Sequence, residues 1–300
     1  MKRVLVICGA TATGKSALAV KCAKLLNSCV ISADSQLIYR GLNIGTAKPT
    51  REEMCGIRHE MIDIVPPDAH FSVSDFRDAA LLPIENELNA GRTPVICGGT
   101  GFYINSLLFD YSYGSAPADG AVRAKYEKLC AERGGEYVYS LLCEADRASA
   151  EKIHKNDIKR VIRALEILEV SGIKKSELND GFKPRFDYVA VALSFERQRL
   201  YRRIDERVDK MFEDGLVEEV KALMSAGIDE NCQSMQAIGY KEVIQGLKNG
   251  DSQCTMRDII KRNTRHYAKR QITFFKKLPG IVWMDADEAS PENILKLLNC

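Results

Sequence analysis

The sequence predicts an α/β fold, a parallel-sheet core interrupted by an inserted all-helical subdomain, and three observations predict it. The apolar run 4–8 leads through a glycine-rich loop into a helix-forming stretch, 17–26, and then a second short apolar run, 29–32, the order β-loop-α-β. A third apolar run, 94–97, follows a long helical stretch around 76–90 and ends in Gly98-Gly99-Thr100-Gly101. From Asp119 to about Asn179 only helical periodicity is present, and strand character returns at 188–194.

A chain of 300 residues has room for a full α/β domain and a smaller one. The expected division is a discontinuous core, 1–110 and 186–300, around an insert, 111–185, whose start is marked by the Ser-, Gly- and Tyr-rich stretch 111–118. Beyond the returning strand, long helices run to Lys277, one of them from about Glu196 to Met224, with breaks expected at Gly227, Gly246 and Gly250. A formal charge of +2 excludes a polycation, so binding to nucleic acid has to come from local clusters of Lys and Arg. The ten cysteines are scattered, with no Cys-x-x-Cys pair and no zinc spacing, which points to a reducing compartment, and the chain reads as cytoplasmic. Met1, Lys2 and Arg3 before the first apolar run imitate a signal peptide, but that run is too short and flows straight into the glycine motif. No stretch approaches the roughly 18 apolar residues of a membrane span.

Gly9-Ala10-Thr11-Ala12-Thr13-Gly14-Lys15-Ser16 fits G-x-x-x-x-G-K-[ST] between a strand and a helix, the context a phosphate loop requires. The core is therefore P-loop NTPase-like. Glycines let backbone N–H groups converge on phosphate oxygens, Lys15 adds charge, and the Ser16 hydroxyl is placed to bind Mg²⁺. The loop announces a diphosphate group but not which bond of its ligand breaks. Asp34, just past the second strand, should share the sheet edge with the loop, as a magnesium carboxylate, a general base or the N-cap of a following helix.

Two helical patterns concentrate charge. On the expected helix from Glu196, Arg207 falls amid Leu200, Ile204 and Met211, and a guanidinium on an apolar face needs an anion, either a ligand or an inward carboxylate. On 158–170, Ile158, Val161, Ile162, Leu165 and Leu168 form one side, with Lys159, Arg160 and Arg163 on the other. The stretch 261–277 holds seven Lys or Arg and no acid. There Arg262, Arg265, Lys269 and Lys276 line up opposite Ile260, Tyr267, Phe274 and Phe275, aromatics that read as core, and the basic stripe reads as a track for a phosphate backbone.

The run Asp34-Ser35-Gln36-Leu37-Ile38-Tyr39-Arg40-Gly41-Leu42-Asn43-Ile44-Gly45-Thr46-Ala47-Lys48-Pro49 closely resembles the bacterial tRNA dimethylallyltransferases, or tRNA isopentenyltransferases. His59 and Asp63, Phe71-Ser72-Val73, Gly98-Gly99-Thr100-Gly101-Phe102-Tyr103, Asn156-Asp157, Arg163-Ala164-Leu165-Glu166, Ile238-Gly239-Tyr240-Lys241-Glu242 and Tyr267-Ala268-Lys269-Arg270-Gln271 continue the likeness along nearly the whole chain.

The resemblance implies transfer of a dimethylallyl group from dimethylallyl diphosphate to N6 of adenosine 37 in the anticodon stem-loop of tRNA, with Mg²⁺, by an enzyme needing no protein partner and acting as a monomer. It makes Asp34 the base, with Thr11 and Arg207 beside it in the chemistry, and turns the loop from Gly9 to Ser16 toward the donor. It assigns tRNA contacts to Asp34, Ser35, Gln36, Leu37, Thr100, Arg123, Lys159, Arg160, Val161, Ile162 and Arg163. Three positions depart from the family pattern: Leu37 and Lys159 each replace a usual Gln, and Arg58 replaces the first of a usual His pair. Three rivals remain: a P-loop nucleoside or nucleotide kinase, a prenyltransferase acting on free AMP, and a non-catalytic RNA-binding module with a vestigial loop.

Overall fold

The structure is a computed structural model that describes residues 3–110, 119–178, 181 and 183–298. The Ser-, Gly- and Tyr-rich stretch 111–118 lies outside the described residues. Six strands, β1 (Arg3–Gly9), β2 (Val30–Ser32), β3 (His59–Glu60), β4 (Val95–Gly98), β5 (Asp187–Ser194) and β6 (Ile281–Asp285), form one all-parallel sheet in the order β3-β2-β4-β1-β5-β6. Every residue from Val4 to Cys8 is fully buried, the pattern of a central strand covered on both faces, which is why that segment reads as an unbroken apolar run. The chain leaves β1 toward β2 on one side and returns to β5 on the other. That reversal opens a crevice beyond the carboxyl ends of β1, β2 and β4.

The helices are α1 (Lys15–Leu25), α2 (Arg51–Met54), α3 (Val73–Asn89), α4 (Gly101–Leu108), α5 (Gly120–Arg133), α6 (Gly135–Ala145), α7 (Arg147–Ala150), α8 (Ile158–Ser171), α9 (Arg197–Glu213), α10 (Leu216–Ser225), α11 (Tyr240–Asn249), α12 (Gln253–Phe275) and α13 (Pro291–Leu298). The chain forms two compact units, Met1–Phe109 with Pro184–Cys300, and Asp110–Lys183. In the first, Leu18, Ala19 and Cys22 of α1 and Ile294 of α13 pack on Leu5, Ile7, Val95 and Val191 of the sheet. A second core joins Tyr39 and Leu42 to Val208, Phe212, Leu216, Tyr240 and Ile260. The second unit closes its own core from Tyr126, Val138, Leu142, Val161, Ile162 and Leu165.

Four expectations need correction. β3 and β6 are additional strands. β3 is two polar residues long and carries no apolar run, whereas β6 does carry one, Ile281-Val282-Trp283-Met284, on a partly exposed edge. The helix expected from Glu196 to Met224 is two helices, because Gly215 takes φ 98°, a conformation that ends one helix and starts another at an angle. Gly246 lies inside α11 and does not break it. A methyl there would meet the Met256 side chain at 2.5 Å, so its role is close packing against α12. Between α10 and α11 the chain runs in turns. Among the described residues no helix is long and apolar enough to cross a membrane.

Candidate active site

The loop after β1 folds around its own carbonyls. Gly9 has φ 136°, and a side chain there would meet the Leu193 carbonyl oxygen of β5 at 2.6 Å, so only glycine fits between the strands. Thr13 Oγ1 donates to the Ala10 carbonyl at 2.8 Å, Lys15 Nζ reaches the same oxygen at 3.3 Å, and Arg203 Nε donates to the Ala12 carbonyl at 2.9 Å. Gly14, at φ 84°, precedes α1 with no side-chain cap, so the first amides of the helix are left for an anion.

Those amides open on a cavity of about 380 Å³ lined by Thr11, Lys15, Ser16, Asp34, Ser35, Gln36, Leu37 and Arg207, together with an apolar wall of Ile204, Val208, Met211, Ile238 and Ile260. Burial pushes the Lys15 ammonium below its usual range; Cys97 and Asp34 oppose that, and the positive charge of Arg207 adds to it. Burial likewise lowers the Arg207 guanidinium, against Asp34 and Glu53. Two desolvated cations with Asp34 as the one carboxylate in the cavity lining leave the cavity short of negative charge, and a bound polyanion would oppose both shifts.

Asp34 stands two residues beyond β2. Its Oδ1 accepts the Gln36 N–H at 2.9 Å, and turns follow, so Asp34 caps no α-helix. Thr100, preceding α4, accepts the Ser35 N–H on Oγ1 at 3.0 Å and donates its own N–H to the Ala33 carbonyl at 3.1 Å. β2 and β4 approach so closely there that a methyl on Gly98 would collide with the Ala33 carbonyl. Leu37 lines the cavity with its carbonyl held by the Asp63 N–H at 3.0 Å. The neighbouring Gln36 Oε1 is buried without a hydrogen-bond partner among the described residues. A buried acceptor left unsatisfied is costly, and a ligand N–H would remove that cost.

Sequence reasoning missed the inward face of α12. Gln271, 5% exposed, accepts the Thr11 N–H on Oε1 at 2.9 Å and donates from Nε2 to the Gly99 carbonyl at 2.9 Å, tying the phosphate loop to the turn after β4. One turn earlier, Tyr267 lines the cavity, its hydroxyl pushed up to about 12 by burial and by Asp34. The aromatic expected as core is thus part of the site. The signal was available: Tyr267 and Gln271 are i and i+4 on the face opposite the basic residues.

That basic face is thinner than the sequence suggests. Lys261 pairs with Asp209 at 2.6 Å and Arg265 approaches Asp205 at 3.6 Å, both carboxylates on α9, while Arg262, Lys269, Arg270 and Lys276 stay exposed. In the helical unit, Lys159 and Arg160 are exposed, the latter 3.3 Å from Asp157. Arg123 and Arg163 converge on the buried Glu166, at 3.0 and 2.9 Å. Val161 and Ile162 are 0% and 5% exposed in the core of that unit, so their side chains are not presented to a ligand, and only the positions around them on α8 face outward.

Among the described residues no three His, Cys, Asp or Glu side chains cluster to hold a metal. The donor set fits Mg²⁺ nonetheless. Ser16 offers a hard oxygen at the cavity, and Mg²⁺ beside a phosphate takes most of its ligands from phosphate oxygens and water.

A parallel sheet with a glycine-lysine loop at its reversal point, opening on a cavity that holds buried cations and one apolar wall, marks the chain as an α/β enzyme. Comparison with known proteins gives the family. The IPP transferase profile matches residues 37–278, and the isopentenyl transferase profile matches residues 2–71. A tRNA dimethylallyltransferase of Acetivibrio thermocellus is 43% identical over 99% of this chain and 96% of its own length, and one of Bacillus cereus is 45% identical over 96% and 91%. Among solved structures, the tRNA isopentenylpyrophosphate transferase of Bacillus halodurans superposes with a TM-score of 0.74 at 40% identity, covering 100% of this chain and 95% of that one. A eukaryotic dimethylallyltransferase acting on tRNA reaches 0.84 at 28% identity, over 100% and 79%. The chain belongs to the tRNA dimethylallyltransferase family.

Proposed function

We propose that the protein transfers the dimethylallyl group of dimethylallyl diphosphate to N6 of adenosine 37 in tRNA, releasing diphosphate. The observation that carries this reading is a cavity in which Thr11, Lys15 and Ser16 of the loop, with Arg207, meet an apolar wall, the charge of Asp34 acting on both cations. The loop amides, Lys15 and Arg207 hold the diphosphate, and Ile204, Val208, Met211 and Ile260 receive the hydrocarbon. Mg²⁺, held by Ser16, would neutralise charge on the leaving diphosphate.

An adenine stacked in its loop cannot reach such a site, so the base has to swing out into the cavity. There Ser35, Gln36 and Leu37 border it, Thr100 Oγ1 holding the Ser35 N–H, and the unpaired Gln36 acceptor suits an adenine N–H. N6 attacks the allylic carbon, the carbon–oxygen bond breaks with its electron pair going to diphosphate, and the Asp34 carboxylate takes the N6 proton. Fixed cations at the departing oxygens stabilise the charge that develops there. Arg262, Lys269 and Arg270 on α12, Lys276 at its C-terminal cap, and Lys159 and Arg160 on α8 offer cations to the RNA backbone. Arg123 and Arg163 offer theirs while Glu166 fixes their position.

The test is to incubate the protein with Mg²⁺, dimethylallyl diphosphate and unmodified tRNA, digest to nucleosides, and search by mass spectrometry for N6-dimethylallyladenosine, with AMP and ATP controls. Product formed only with tRNA is expected. Product on AMP, or phosphate transfer from ATP without any prenylated nucleoside, refutes the reading.

A further inference from the structure

Residues 43–49 form one wall of the cavity, contributing Gly45, Thr46, Ala47 and Pro49. The segment has no strand or helix of its own, yet its backbone is tightly anchored. The N–H groups of Asn43, Ile44 and Gly45 all donate to the carboxylate of Glu219, in the first turn of α10, at 3.0, 2.9 and 3.3 Å. Three consecutive amides on one carboxylate make an anion nest filled from within the protein. The buried Tyr240 of α11 donates its hydroxyl to Glu219 at 2.5 Å, and its ring occupies the space a Gly45 side chain would need. One residue further on, the Thr46 carbonyl accepts from Arg207 Nη2 at 3.4 Å.

We propose that Glu219 is a positioning residue. By fixing 43–45 it holds the Thr46 carbonyl where it keeps Arg207 directed into the cavity. The inference rests on the reading of Arg207 as a diphosphate contact, and it extends that reading to a residue outside the cavity lining. Chemistry favours a carboxylate here. Four donors converge on it, and its charge strengthens each bond, whereas a glutamine would be neutral and could not accept on its N–H₂ from the backbone N–H groups, which can only donate.

The experiment is a double-mutant cycle of Glu219→Gln and Arg207→Gln, read as donor KM, kcat on tRNA, and calorimetric affinity for inorganic diphosphate. Glu219→Gln should raise donor KM and weaken diphosphate binding about tenfold with tRNA KM within about twofold, and should change diphosphate affinity by less than about twofold in the Arg207→Gln background. Equal, additive losses in both backgrounds would overturn the proposal, as would parallel rises in donor and tRNA KM. If Glu219→Gln does not fold, Tyr240→Phe removes one bond to the same carboxylate. It should move diphosphate affinity in the same direction by about threefold in the parent and not at all in the Arg207→Gln background, and an equal effect in both overturns the proposal. A parent protein that makes no prenylated tRNA would refute the proposed activity, whereas an active parent with an additive cycle refutes only the role of Glu219.

Discussion

Gln271→Leu removes two hydrogen bonds while keeping nearly the same side-chain volume, so the packing loss is small and the cost is polar. The Gly99 carbonyl loses its donor in a buried place, and a buried acceptor left without a partner costs about 1–3 kcal/mol. Thr11 borders the cavity, where water can reach its freed N–H, so its share is smaller. The sum is about 2 kcal/mol. In a chain of this size each kcal/mol lowers Tm by roughly 2–4 °C, so the variant should melt about 4–8 °C below the parent in calorimetry. Because Thr11 belongs to the phosphate loop, donor KM should rise as well, and added diphosphate should raise Tm less than it does for the parent. Gln271→Glu should be worse than Leu, because both lose the donor to the Gly99 carbonyl but Glu also buries a negative charge against that oxygen. A Leu variant melting within about 1 °C of the parent, with unchanged donor KM, would refute the tie between loop and turn.

Asp34→Asn keeps the shape but not the base, and should lower kcat by about 10²–10⁴ while donor KM stays within about threefold; equal losses in both, measured by single-turnover kinetics, would sink the assignment. Glu87, buried, takes two Arg92 N–H donors at 2.8 Å and the Ser28 hydroxyl at 2.8 Å, and its carboxyl is held down to about 2 by Arg92 first, against burial. A carboxyl depressed in the native state stabilises the fold above the unfolded value near 4.5 and loses that stabilisation as pH falls toward 2. Parent minus Glu87→Gln should therefore give a stability difference of at most about 3 kcal/mol at pH 7 that shrinks steadily below pH 4.5 in urea melts, and a difference independent of pH would contradict it. Charge reversal at Arg262 and Lys269 should raise tRNA KM several-fold at low salt and flatten its salt dependence, with kcat at saturating tRNA retained; a salt slope equal to the parent's would remove α12 from the RNA track.

What could be read from the sequence was local. The phosphate loop is eight contiguous residues between a strand and a helix, and Arg207 betrays itself as a cation on an apolar helix stripe, so both are visible without tertiary contacts. What could not be read depends on packing over long separations. Gln271 meets Thr11 and Gly99 only because α12 lies across the loop, 260 and 172 residues away. Arg123 and Arg163 read as exposed cations because nothing in the pattern reveals that Glu166 is buried between α5 and α8. β3 escapes because His59 and Glu60 pair with only Val30 and Ile31, too short a ladder to need an apolar pattern.

A phosphate loop by itself is compatible with breaking a bond at phosphorus or at carbon, and the wall beside it separates the two. A kinase has to place a polar acceptor in line with the terminal phosphate, whereas a transferase that breaks a carbon–oxygen bond has to lodge a hydrocarbon beside the diphosphate. Here α9 faces the cavity with Ile204, Val208 and Met211, and sets Arg207 among them, while Ile260 of α12 and Ile238 before α11 extend the apolar surface. One helical stripe therefore supplies both the cation that meets a diphosphate and the hydrocarbon surface adjoining it. A cation costs free energy on such a stripe unless an anion sits beside it, and an apolar wall gains nothing from a phosphate. The two requirements are met together by the proposed donor, diphosphate at one end and hydrocarbon at the other, and Asp34 lines the same cavity, its charge acting on both Lys15 and Arg207.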